Sequence, residues 1–83
     1  MNITILTPDQ EIYEGKINSV KVPGVGGQFE VLENHAPIVS ALSKGDVRVI
    51  KDDGEKLTFD IERGFIEVLN NNISLLVQGV TNN

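Results

Sequence analysis

The sequence contains no cysteine. Disulfides, thiolate metal sites and a cysteine nucleophile are excluded with it. It contains one histidine, His35, a poor start for a zinc site without thiolates beside it. Cations are scarce: seven Lys and Arg against twelve Asp and Glu leave a formal charge of −5. Phosphate binding needs clustered cations, and Lys16, Lys21, Lys44, Arg48, Lys51, Lys56 and Arg63 are spread singly along the chain. A nucleic-acid partner and an anionic lipid surface are therefore disfavoured. No apolar run approaches the roughly 18 residues of a membrane span. The N-terminal MNITILTPDQ lacks the basic region and apolar stretch of a signal peptide. A soluble protein of a reducing compartment is expected. A chain of 83 residues makes one small domain, which buries only about 60% of the surface its unfolded form exposes. A partner that adds burial would add stability.

What is present is a period of two. Ile3 and Ile5 alternate with Thr4, and Val20 and Val22 with Lys21. Val47 and Val49 alternate with Asp46 and Arg48. Leu57, Phe59 and Ile61 alternate with Thr58 and Asp60. Ile66 and Val68 flank Glu67, and Ile73, Leu75 and Val77 follow. Each stretch fits a half-buried strand, and no long stretch carries a helical period. The expected fold is all-β: an antiparallel β-sandwich of about eight to ten short strands, with no substantial helix. Residues 1–83 read as a single domain without a linker or repeat. Tyr13, Phe29, Phe59 and Phe65 are expected in its core.

The turns follow from local chemistry. Pro23-Gly24 suits a type II turn, with Pro fixing φ and Gly supplying φ > 0, so VPGVGGQF reads as a tight double turn. At KDDGEK, a three-residue loop Asp52-Asp53-Gly54 pairs Val49 with Leu57 and Val47 with Phe59. That keeps both apolar sets on one face, with Gly54 left-handed in a bulged turn. Asn70-Asn71-Asn72 reads as a hairpin, because Asn tolerates the left-handed region.

Catalytic chemistry finds little support. A catalytic histidine needs a nucleophile, an orienting acid, or both. Ser40, the hydroxyl nearest His35 along the chain, lacks the Gly-rich elbow of a serine nucleophile. Glu33 and Asn34 could hydrogen-bond the ring, as neighbours of any loop histidine could. VPGVGGQF meets neither the dinucleotide-binding nor the P-loop pattern. The carboxylates are scattered, and no catalytic pair stands out. No cofactor or metal is expected. The residues alone point to an interaction module, with the glycine- and proline-marked segment from Val22 to Gly45 as its contact surface. A stand-alone sandwich that binds a small ligand or peptide stays open at this level.

The run VPGVGGQFEVLENHAPIVSALSKGDVRV strongly resembles the N-terminal β-sandwich domain of the epsilon subunit of F-type ATP synthases. That family shows a V-x-G-x-x-G-x-[FL] turn, an N/G-H-A-P segment and then L-x-x-G-x-[VIL]-R-[VI], in this order. The upstream ITILTPDQEIYEGKINSVKVPG and downstream RGFIEVLNNNISLLVQ resemble the family's flanks, with Arg63 where a glycine is common.

The resemblance implies a non-catalytic subunit of the central stalk, or rotor. It would bind the gamma subunit and the ring of c subunits and couple ion flow to ATP synthesis. It would sit as a peripheral subunit at the cytoplasmic face of the bacterial inner membrane. The resemblance turns Gly26, Gly27, Gln28 and Phe29 toward the c-ring. It turns Thr7, His35, Ala36, Pro37, Ile38 and Ser40 toward gamma. Many family members continue into a C-terminal pair of helices that can inhibit ATP hydrolysis. This sequence stops before that pair, and a natural short form without the inhibitory function is expected.

Overall fold

The computed structural model describes residues 1–82. Nine strands follow in order: β1 (Asn2–Leu6), β2 (Glu11–Gly24), β3 (Gly27–Leu32), β4 (Ile38–Leu42), β5 (Gly45–Lys51), β6 (Lys56–Ile61), β7 (Arg63–Leu69), β8 (Asn72–Gln78) and β9 (Thr81–Asn82). No helix occurs among the described residues. The sandwich expected from the alternation is present.

The pairings sort into two layers, joined where Gly24 of β2 pairs Leu42 of β4. In one, β4 pairs β7, β7 pairs β8, β8 pairs β1, and β1 pairs the first half of β2. In the other, β3 pairs the second half of β2, which pairs β5, then β6, then β9. All are antiparallel except β1 with β8, which run parallel. The long strand β2 thus belongs to both layers. It changes layer at a bulge, where Ile17 and Ser19 oppose the consecutive residues Lys51 and Ile50. The extra residue, Asn18, switches which residues face inward: Ile17 before it, Val20 and Val22 after it. A one-residue slip moves every side chain to the other face of a strand, so a bulge lets one strand serve two oppositely presented sheets.

The core is one apolar cluster drawn from both layers, mostly Val and Ile. These β-branched side chains pack well on a pleated surface. Phe59 is the largest fully buried side chain. Phe29 and Tyr13 are partly buried against the cluster. Phe65 departs from expectation, with 59% of its surface exposed. Ile66 and Val68 point inward on β7, so alternation turns Phe65 out.

Two hairpins follow the sequence chemistry. β5 and β6 adopt the register that pairs Val49 with Leu57 and Val47 with Phe59, with Gly54 at φ 90. Asn70 and Asn71 (φ 52 and 62) form the two-residue loop between β7 and β8, with Leu69 opposite Asn72. Two consecutive positive φ values are what a type I′ turn requires.

The Pro23-Gly24 turn is corrected. Both residues lie in β2, Pro23 opposite Gln28 and Gly24 opposite Gly27. The loop is Val25-Gly26, so VPGVGGQF makes one hairpin. Pro23 lies beyond the last β2–β5 pair, Lys21 with Arg48, where a missing N–H breaks no bond to β5.

Lys51 braces the corner of β2. Its Nζ donates to Glu55 Oε1 at 2.8 Å and lies 4.7 Å from the centre of the Tyr13 ring. The Glu55 bond raises the Lys51 pKa above its ordinary value. The folded ammonium holds its proton more tightly than the unfolded one. Its contribution to stability is therefore complete below about pH 10 and fades as the pH climbs past the raised value.

Candidate functional site: the β4 edge and the outer face beside it

In β7 and β8 the sequence is apolar on both parities: Phe65-Ile66 in one, Leu75-Leu76-Val77 in the other. One parity fills the core. The other forms the outer face of the first layer. Register aligns Ala41, Phe65, Leu76 and Leu6 in one row across four strands. Val39 (71% exposed) stands beside them and pairs with Glu67. Such a row brings together apolar surface that a monomer ordinarily hides. Along the row, Leu6, Thr7, Pro8, Ala41, Phe65, Leu76 and Gln78 line an open cleft of about 480 Å³.

Strand β4 borders this face. Its Ile38 and Ser40 are half-buried on the inward side, and Ser40 Oγ donates to the Ala41 carbonyl at 3.2 Å. The segment before β4 turns sharply, with the His35 N–H donating to the Leu32 carbonyl at 3.1 Å and Asn34 at φ 65. The His35 ring Nδ1 lies 2.7 Å from the Ala36 carbonyl oxygen. Its partner is thus backbone, and neither Glu33 nor Asn34 takes that role. No group of three or more metal-ligating side chains comes together among the described residues.

The β2–β3 hairpin stands beside the far end of β4. The Val25 N–H donates to the Ala41 carbonyl at 3.1 Å, and the Ser43 N–H to the Pro23 carbonyl at 2.8 Å. At the tip, a side chain added at Gly26 or Gly27 would meet nothing within 4 Å. Val25 is 69% exposed. Phe29 lies half-buried below the tip, with its ring over Gly24. A Cβ at Gly24 would come within 2.8 Å of that ring and 2.6 Å of the Gly27 carbonyl. Gly24→Ala is therefore expected to cost about 1–3 kcal/mol, read as a lowered urea midpoint. A midpoint equal to wild type would show that the hairpin adjusts freely.

The expected contact residues thus occupy three places. His35, Ala36 and Pro37 precede one end of β4, and Ile38 and Ser40 lie along it. Thr7 lies across the cleft from Ala41 and Leu42 at its other end. Gly26, Gly27 and Gln28 are exposed on the neighbouring hairpin, with Phe29 beneath them. Sequence reasoning missed Phe65 and Leu76 as contact residues, while Val25 and Val39 lie within the Val22–Gly45 segment it marked. For Phe65 and Leu76 the signal was available in strands that are apolar on both parities.

Comparison with known proteins gives a consistent picture. The chain matches the family described as ATP synthase, Delta/Epsilon chain, beta-sandwich domain, over residues 1–83. It is 43% identical over 79 residues to an ATP synthase epsilon chain of Chlorobaculum tepidum, covering 95% of this chain and 90% of that one. It is 42% identical over 77 residues to an epsilon chain of Leptospira borgpetersenii, covering 92% of this chain but 59% of the relative. Among solved structures, it superposes with a TM-score of 0.88 and 21% identity on a chain of the Euglena gracilis mitochondrial ATP synthase, covering 96% of this chain and 51% of that one. A chain of the central stalk and c-ring of the Tetrahymena thermophila mitochondrial ATP synthase gives 0.83 at 13% identity, covering 98% and 65%. At these identities the structural likeness speaks for the fold.

Proposed function

Because the chain belongs to the β-sandwich family of ATP synthase delta and epsilon chains, we propose that it is a rotor subunit of an ATP synthase, gripping the gamma subunit on one side and the c-ring on another. The observation that carries this reading is the outer row of Phe65, Leu76 and Ala41 with Val39 beside it, apolar surface left open on a chain of 83 residues. In this reading the row, the cleft with Thr7, and β4 with its preceding segment (His35, Ala36, Pro37, Ile38, Ser40) meet gamma. The hairpin tip, Gly26, Gly27 and Gln28 supported by Phe29, meets the ring. The chain performs no bond chemistry. Its part is to join two moving partners rigidly, as a peripheral subunit at the cytoplasmic face of the bacterial inner membrane. No helix of the described residues is long and apolar enough to cross a membrane. A stand-alone ligand-binding sandwich is the weaker reading, since the family match runs through all 83 residues.

The test is a calorimetric titration against the gamma subunit of the same organism. Saturable one-to-one binding is expected. Gamma at about a hundred times its Kd should stabilise the chain by about 2.7 kcal/mol, visible as a raised Tm. Absence of binding at tens of micromolar, with no Tm shift, would count against the reading.

A further inference from the structure

Between β3 and β4 the chain crosses from one layer to the other through Glu33–Pro37, five residues outside any strand ladder. Two asparagines 37 positions apart meet there. The Asn34 backbone N–H donates to Asn71 Oδ1 at 2.7 Å, and Asn71 Nδ2 donates to Asn34 Oδ1 at 3.1 Å. The arrangement fixes its own atoms. A backbone N–H can only donate, so the Asn71 oxygen must face it, and the Asn71 amide nitrogen is left to face an oxygen. Both residues hold positive φ, 65 at Asn34 and 62 at Asn71. Asparagine is among the few residues other than glycine that adopt this conformation readily. Glycine in either place would keep the backbone and lose the side-chain bond.

We infer that Asn71, on the β7–β8 hairpin, is a positioning residue for gamma docking: its amide clamps the turn at Asn34 and so presents His35, Ala36 and Pro37 in one conformation. This rests on the proposed gamma-facing role of that segment. A loop held in its bound conformation loses less entropy on association. The His35–Leu32 bond closes the turn upon itself, whereas the Asn71 amide ties the turn to the β7–β8 loop, three residues past Val68, the partner of Ile38. The clamp therefore sets where the turn lies relative to β4.

The variants separate the clamp from the hairpin. Asn71→Gly keeps the positive φ and deletes both bonds. Asn34→Asp keeps both, because a carboxylate accepts from Asn71 Nδ2 and the backbone N–H is unchanged. Three quantities are read: gamma affinity by calorimetry, hydrogen exchange of the Asn34 amide by NMR, and Tm. Asn71→Gly is expected to weaken gamma binding about five- to tenfold and to speed Asn34 exchange, with Tm close to wild type. Asn34→Asp is expected to stay near wild type in all three, since both bonds persist. Asn70→Gly alters the hairpin at its other positive-φ residue but spares the clamp, and is expected to keep gamma affinity and Asn34 exchange. A loss in Asn70→Gly equal to that in Asn71→Gly would assign the effect to the hairpin and overturn the clamp. Wild-type affinity in Asn71→Gly, or unchanged exchange at Asn34, overturns the clamp. A wild-type chain that fails to bind gamma overturns the docking reading itself, which is a different result from tight wild-type binding that Asn71→Gly leaves untouched.

Discussion

Phe65→Glu is expected to weaken binding to gamma by about 30-fold or more, a loss of about 2 kcal/mol typical of a buried aromatic anchor. The ring sits mid-row between Ala41 on β4 and Leu76 on β8, and 59% of its surface is open before binding. Docking would remove that apolar area from water. A carboxylate in its place would have to shed its hydration without a partner, which costs more than the lost contact alone. The effect on the free chain is much smaller. Only the cross-strand contacts with Ala41 and Leu76 are lost, on the order of 0.2–1 kcal/mol each. Calorimetry with gamma and a thermal melt of the free chain separate the two. Unchanged affinity would remove the outer row from the interface.

Phe59→Ala is expected to do the reverse, striking the fold and reaching the partner only through it. Phe59 is 1% exposed, opposite Val47, in the cluster that joins both layers. Deleting a buried Phe side chain costs about 3–5 kcal/mol. At about 0.05–0.15 kcal/mol per residue, the whole chain has on the order of 4–12 kcal/mol to lose. The variant should therefore melt far earlier or be unfolded at room temperature in isolation. Saturating gamma should recover part of the loss by binding only the folded form. A cooperative melt within a few degrees of wild type would mean that the core refills the gap.

What the sequence made legible was local. Gly54 and the Asn70-Asn71 pair mark their turns because positive φ is a property of single residues. The Val47, Val49, Leu57 and Phe59 pattern fixes the β5–β6 register because a slip of one residue would set one strand's apolar pair against the other strand's outward residues. The long β2 was hidden, since the bulge at Asn18 breaks the alternation and makes one strand look like two. Pro23-Gly24 misled for a related reason. A dipeptide favours a turn, but the pairing of Val20 with Val31 and Val22 with Phe29 carries the strand two residues further. The residue type of Phe65 favours the core, but its parity against Ile66 and Val68 places it outside. The Asn34–Asn71 clamp spans 37 positions, and no local pattern announces it. The contact residues near His35 and Gly26 came from motif resemblance. The apolar row came from the fold, because only strand order sets Ala41, Phe65, Leu76 and Leu6 side by side.

The strand shared by both layers has a mechanical consequence. Two stacked sheets held only by side-chain packing can shear past one another under load. Here a push on the tip at Val25-Gly26 travels down the covalent backbone of β2, through the bulge at Asn18, into the ladder with β1. The layers have no free slip plane along β2, so in the proposed rotor role a load taken at the hairpin tip would reach the far layer through bonded atoms.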